Sequence, residues 1–153
     1  MLSFGLAQEL FLQMVDYLEN MATKFYKCRH CGNVIVKFYD SKVPVVCCGE
    51  QMQELSPNTV DASSEKHVPV VTWLDDRRIK VDIGSSPHPM TPEHHIVFIY
   101  VETEHGGIRV DLKNKPEAIV CVGSARVIAV YEYCNIHGLW MKRYKKIDWP
   151  VMT

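Results

Sequence analysis

Three things are missing from this chain of 153 residues, and each absence narrows what it can do. Net charge is almost nil, a formal −1, so neither a basic field for a nucleic-acid backbone nor an acidic tail is present, and any partner must be recognised locally. No apolar run approaches the ~20 residues that a membrane-spanning helix needs. No basic n-region leads into an apolar core and a small-residue cleavage site, so the six cysteines are not read as the disulfide scaffold of a small secreted domain. The expectation is a cytoplasmic protein whose thiols stay reduced and available as metal-binding thiolates. What is present is a globular composition, 47% apolar, in a length that suits one ordinary domain or a small and a medium one.

Along the chain, Phe4, Ala7, Leu10, Phe11, Met14, Val15 and Leu18 recur at three- and four-residue steps and predict an amphipathic helix within an N-terminal extension, residues 1–22. Residues 23–56 then carry Cys28-Arg29-His30-Cys31-Gly32 followed by Cys47-Cys48-Gly49. Four thiolates at this spacing make a closed tetrahedral metal site, and glycine relieves the tight turns. A redox Cys-x-x-Cys would need a helix after Cys31, and none is patterned there. The adjacency of Cys47 and Cys48 predicts a distorted tetrahedron. Residues 34–39 and 43–46 are β-prone around Asp40-Ser41-Lys42, which predicts a hairpin-based knuckle that needs its metal to fold.

Residues 57–64 are polar, without periodicity, and read as a linker. The remainder, 65–153, reads as strands: 68–74 with 78–83, 96–103 with 108–112, then 118–122, 127–133 and 139–144. Seven short strands without a convincing helix predict a β-sandwich. The continuous apolar run 96–101 suits a central strand buried on both faces. Cys121, inside Ile119-Val120-Cys121-Val122, reads as a small core residue rather than a ligand. His30 and His105 read as solvated loop residues.

Near the end of this region, Cys134-Asn135-Ile136-His137-Gly138 offers a thiol and an imidazole three residues apart, with a glycine that allows a sharp turn. That pair suits zinc or iron better than magnesium or calcium, without choosing between them. Its partners must come from upstream histidines at strand ends or in loops, where ligands can converge on a point. His67 lies in Glu65-Lys66-His67-Val68-Pro69, and His88 lies between Pro87 and Pro89, which fix the local backbone. His94 and His95 are adjacent and would point to opposite sides of a strand, so one of them is a candidate.

In order and combination, Cys28-x-x-Cys31, Cys47-Cys48, Glu65-Lys66-His67-Val68-Pro69, His88-Pro89-Met90, His94 and Cys134-Asn135-x-His137-Gly138 resemble desulfoferrodoxin, the two-iron superoxide reductase family, over residues 24 to about 144. The resemblance implies a mainly β architecture, a small rubredoxin- or desulforedoxin-like knuckle followed by a seven-stranded immunoglobulin-like sandwich. It implies one iron held by Cys28, Cys31, Cys47 and Cys48. It implies a second iron held by His67, His88, His94 and His137 with Cys134 axial, and it selects His94 over His95. It further implies that Glu65 closes on the ferric iron after turnover, that the electron donor is rubredoxin-like, and that the protein is a homodimer.

The chemistry expected of such a site follows from its donors. Four neutral imidazoles and one thiolate leave ferrous iron near a net charge of +1 with an open position, a catalytic arrangement rather than a closed one. Lys66 adds positive charge at the mouth and attracts a small anion such as superoxide. The implied activity is one-electron reduction of superoxide to hydrogen peroxide, with two protons taken up and no oxygen released. The alternative is a non-catalytic zinc- or iron-binding module or an electron carrier.

Overall fold

The computed structural model describes residues 23–59 and 64–144, together with Gln8. Apart from Gln8, the expected N-terminal helix lies outside the described residues. The chain divides into two compact units, Met1–Leu55 and Ser56–Thr153.

The first unit is built on short strands: β1 (Lys24–Lys27), β2 (Val34–Lys37), β3 (Val46–Cys47), β4 (Glu50–Gln51) and β5 (Gln53–Leu55). β1 is the centre of a three-stranded antiparallel sheet in the order β2-β1-β5, and β3 pairs with β4. The pairing differs from the hairpin expected between 34–39 and 43–46: β2 turns back on β1 instead. The Asp40 carboxylate accepts from the Lys42 backbone N–H and from Lys37 Nζ, and this closes the loop locally, with Lys42 at φ 65°. Phe38, Tyr39, Val43 and Val46 are consequently exposed. Among the described residues of this unit the buried apolar set is Phe25, Cys28 and Met52. A core of that size cannot by itself offset chain entropy.

In the second unit, a single helical turn α1 (Ser64–His67) leads into β6 (Pro69–Trp73) and β7 (Arg78–Ile83), followed by β8 (Ile96–Thr103), β9 (Gly106–Asp111), β10 (Glu117–Cys121), β11 (Val127–Cys134) and β12 (Gly138–Arg143). They form two antiparallel sheets, β10-β7-β6 and β12-β11-β8-β9. These are the seven expected strands, each within two residues of its expected ends. Ile79, Val81 and Ile83 of β7 and Val120 of β10 meet Ile96, Ile99 and Val101 of β8 and Val127, Val130 and Cys134 of β11 in one buried cluster, so the sheets pack face to face. Fully burying each such side chain contributes roughly 1.5–3 kcal/mol. β8 and β11 are interior strands and are buried along nearly their whole length, as the apolar run 96–101 predicts.

Cys121 is a correction. It is exposed, at the end of β10, whereas Val120 beside it is buried to 2%. Consecutive strand residues face opposite sides, and Val120 takes the inward one. A second finding concerns the segment read as linker: the Asn58 amide donates to Met141 O and accepts from Met141 N–H, and Asn58 N–H donates to Leu139 O, so residues 57–59 are fastened to β12.

Candidate metal centres

The first cluster sits where two turns of the small unit meet. Cys28 ends the segment after β1, and its N–H and C=O bond Asn33 O and Gly32 N–H, closing the loop that carries Cys31. The second loop places Cys48 at φ 52°, a left-handed backbone uncommon for a residue with a side chain. That conformation is what lets two adjacent cysteines present sulfur to one point. The four ligand atoms lie within 4.8 Å of one another, with Cys31 Sγ to Cys47 Sγ 3.6 Å and Cys47 Sγ to Cys48 Sγ 3.9 Å. A tetrahedron with metal–sulfur bonds of ~2.3 Å has edges of about 3.8 Å, so the sulfurs fit a closed four-thiolate site. Cys28 is buried while Cys31 and Cys48 are exposed. A backbone N–H from Cys31 is the leading cause that pulls the Cys28 thiol down to about 6, and the neighbouring thiols Cys31 and Cys28 push Cys48 up to about 12. Four thiols this close cannot all ionise without a cation between them.

The second cluster lies at one end of the sandwich. α1 brings His67, the loop after β7 brings His88, the loop before β8 brings His94, and the β11–β12 turn brings Cys134 and His137. Their ligand atoms also lie within 4.8 Å of one another. The four imidazoles form a closed ring in the order 67, 88, 94, 137. Neighbouring centroids are 4.7, 4.5, 4.8 and 4.9 Å apart and neighbouring planes are crossed by 62° to 83°. Cys134 Sγ is 3.7 Å from His88 Nε2 and 3.7 Å from His137 Nδ1. Those two histidines occupy opposite corners, so the sulfur stands over the middle of the ring.

Hydrogen bonds decide which nitrogen each ring has to offer. His88 Nδ1 is 2.6 Å from Pro89 O and must carry the proton it donates, which frees Nε2 on the side of the sulfur. His67 Nδ1 is 3.1 Å from Glu132 Oε1, so its Nε2 is likewise left available. His94 Nε2 is buried with no hydrogen-bond partner. An orphaned buried imidazole nitrogen inside a ring of three others is an observation that a metal ion explains. The donor set fits iron or zinc on chemical grounds.

Burial first, then the other histidines and Lys66, depresses the basicity of His67 to about 4, and the same causes lower His94. His88 is lowered by burial against an opposing bond to Pro89. His67, His88 and His94 are therefore neutral and ready to ligate at neutral pH. Cys134, fully buried, has its thiol pushed up by desolvation, opposed by backbone N–H groups of His137 and Ile136. Lys66 and Glu65 are exposed on α1; the Lys66 charge is felt at the ring, while the cluster of ligand atoms contains no carboxylate among the described residues.

His95 lies outside the ring, its Nδ1 bonded to Thr91 O. The expectation that His94 and His95 alternate across a strand does not hold, because both precede β8; His94 enters the cluster through a loop held by Thr91. His30 pairs with Glu50 at the surface and His105 sits in an exposed turn, as expected of loop residues.

Glu132 and Trp140 escaped the sequence reading, and Asn135 appeared there only as part of its motif, without a role. Glu132, wholly buried, lies two residues before Cys134 on the same face of β11 and holds His67; burial pushes its carboxyl up to about 9. Trp140, opposite Glu132 on β12, stacks on His67 at 4.7 Å and 12°. Asn135 accepts from His95 N–H and donates to Glu93 O, stitching the Cys134 turn to the loop that carries His94. A lone glutamate inside the apolar strand VIAVYEYC was the available signal for the first.

Comparison with known proteins agrees with this geometry. The Desulfoferrodoxin family model matches residues 59–143. A desulfoferrodoxin of Desulfarculus baarsii is 41% identical over 117 residues, which covers 75% of this chain and 91% of that protein. A superoxide reductase of Pyrococcus horikoshii is 37% identical over 99 residues, 52% of this chain and 86% of that one. The crystal structure of the superoxide reductase from Treponema pallidum superposes with a TM-score of 0.68 at 31% identity, covering 80% of this chain and 99% of that chain.

Proposed function

The chain belongs to the desulfoferrodoxin family, and on that premise we propose that it is a superoxide reductase, reducing superoxide to hydrogen peroxide with one electron and two protons. The observation that carries this reading is the ring of four imidazoles with the Cys134 sulfur over its middle. His67, His88, His94, His137 and Cys134 would hold one iron, and Cys28, Cys31, Cys47 and Cys48 a second. Ferrous iron held by the histidine site would supply the electron that superoxide takes up.

The remaining work belongs to the chain's own groups. Lys66 presents a positive charge at an exposed position beside the ring and draws the small anion in. Glu132 and Trp140 fix the plane of His67 from behind, and the Pro89 carbonyl fixes His88. Backbone N–H donation to Cys134 tempers how much electron density the thiolate passes on. Protons come from solvent. Glu65, exposed beside Lys66, is assigned the closing carboxylate of the resting oxidised site.

The wider assignment follows the same reading. Residues 23–56 form the electron-handling iron domain, 57–64 the connection and 65–153 the reductase domain, after the extension 1–22. Both sites need reduced cysteines, which supports a cytoplasmic setting. A rubredoxin-like donor and a homodimer complete the proposal. No helix among the described residues is long and apolar enough to cross a membrane.

Metal analysis and the visible spectrum of the oxidised protein test the assignment. Two irons and a thiolate-to-ferric charge-transfer band that disappears in Cys134→Ser are expected, together with superoxide consumption without oxygen release. Two zincs in the freshly isolated protein would overturn it.

A further inference from the structure

Glu65 and Lys66 have exposed side chains, yet their backbone is held more tightly than exposure suggests. The Glu65 carbonyl accepts two hydrogen bonds from the turn after β7, from Ser86 N–H at 3.0 Å and from Ser85 Oγ–H at 3.3 Å. Two residues beyond Lys66, the Val68 carbonyl accepts from Gly84 N–H at 3.3 Å, and Val68 N–H closes α1 on Ser64 O at 2.9 Å. Between these ties, the Lys66 backbone lies directly against Gly84. A β-carbon placed on Gly84 would stand 2.5 Å from Glu65 O and 2.7 Å from both Lys66 Cα and Lys66 C. All three are backbone atoms, with no flexible side-chain end to give way.

The same turn leads, through Pro87, to His88, and Lys66 leads directly to His67. Residues 84–86 thus join two segments that each carry a member of the imidazole ring. We propose that this turn is a backbone clamp, with Gly84 as a positioning residue that fixes Lys66 relative to the His67–His88 side of the ring. The proposal rests on the assignment of Lys66 as the charge that attracts superoxide. A lysine side chain has many rotamers and little to hold it at the surface, so what sets its reach is where its Cα is anchored. Gly84 acts through the backbone of its neighbour and touches no reacting atom.

Gly84→Ala imposes two costs, the contact and the positive φ of 78°. Gly123→Ala separates them, because Gly123 has φ 60° and nothing within 4 Å of the added carbon. Ser85→Ala removes one hydrogen bond to Glu65 O and leaves the backbone free of strain.

Amide hydrogen exchange on the iron-loaded protein reads the clamp without reference to activity. In Gly84→Ala, exchange at the amides of Gly84, Ser86 and Val68 rises by about ten-fold or more. Ser85→Ala gives about two- to five-fold, and Gly123→Ala leaves these amides unchanged. The rate with superoxide supplies the second arm: Gly84→Ala slows it and flattens its salt dependence in the native background, and does neither further in Lys66→Ala. Exchange in Gly84→Ala no faster than in Gly123→Ala overturns the clamp. Equal slowing with and without Lys66 overturns its role in positioning that residue. If Gly84→Ala does not fold, unchanged exchange in Ser85→Ala is the refuting result. A Lys66→Ala protein with native rate and salt dependence removes the role of Lys66 instead, and the exchange result still decides the clamp.

Discussion

The two candidate metal centres answer one problem, converging soft ligands on a point, by opposite means. Between Cys28 and Cys48 everything is local: two tight loops, a left-handed cysteine, and a small unit with Phe25, Cys28 and Met52 as its buried apolar residues among those described. The histidine site draws on four separate segments from His67 to His137, each fixed by a sandwich with its own interior of isoleucine and valine. The first set of ligands rests on a core too small to fold without its metal, whereas the second rests on a packed sandwich. Exposure follows the same division: Cys31 and Cys48 reach the surface, whereas His67, His88 and Cys134 are 2%, 3% and 0% exposed.

The largest effect expected from this contrast is on metal removal. Stripping iron from both sites should unfold the small unit and leave the sandwich strands protected, as read by amide exchange along β1–β5 against β7, β8 and β11. Structural sites of this kind contribute on the order of 10 kcal/mol of folding energy through the metal. Native-like protection of β1 in the metal-free protein would break the contrast. A smaller effect is expected behind the histidines. Glu132→Ala should weaken iron binding at the histidine site about 10–100-fold, because His67 loses the carboxyl group that fixes its ring. Asn33→Ala, whose amide touches Cys47 Sγ at 3.7 Å, should cost the first site less. Competitive chelator titration of each variant measures both.

Acid sharpens the comparison further. In the metal-free sandwich His67 is held neutral, with its basicity depressed from 6.5 to about 4. As pH falls below 6.5 the unfolded chain takes up the proton first, so the contribution of His67 is whole above 6.5 and is lost progressively down to about 4. The loss is about 3 kcal/mol for this buried group, seen as a falling urea midpoint between pH 7 and pH 4. A flat midpoint across that interval would mean the ring is not preorganised. The smallest structural effect belongs to Lys66→Ala, which should change stability by less than about 0.5 kcal/mol while slowing the encounter with superoxide and weakening its dependence on salt. A rate that keeps its full salt dependence would take Lys66 out of the mechanism.

How far the sequence could be read depended on whether a signal was local. Cysteine spacing in the first loop is set by the geometry of a turn, and the strands of the sandwich carry their own alternation, so these were legible. The hairpin expected over 34–46 was not, because β-prone residues do not say which neighbour they pair with, and Asp40 closes its loop on Lys37 and Lys42 instead. Cys121 was misjudged by one position of strand parity: in Ile-Val-Cys-Val either alternate set could face inward, and Val120 does. Glu132 was overlooked because nothing near it in sequence needs a carboxylate; its partner, His67, is 65 residues away.

By itself, then, the sequence determined which atoms were available: six thiols, the five loop and strand-end ligands of the second site, the seven strands, and Gly138, whose φ of 76° turns the chain after His137. Tertiary structure decided what those atoms do. Only the packing of two sheets brings His67 against Glu132 and Trp140, sets Cys134 over the middle of four rings, and lays Gly84 against the backbone of Lys66. Ligand identity is a property of residues, but proton position, burial and orientation are properties of neighbours, and those neighbours come from strands far apart in the chain.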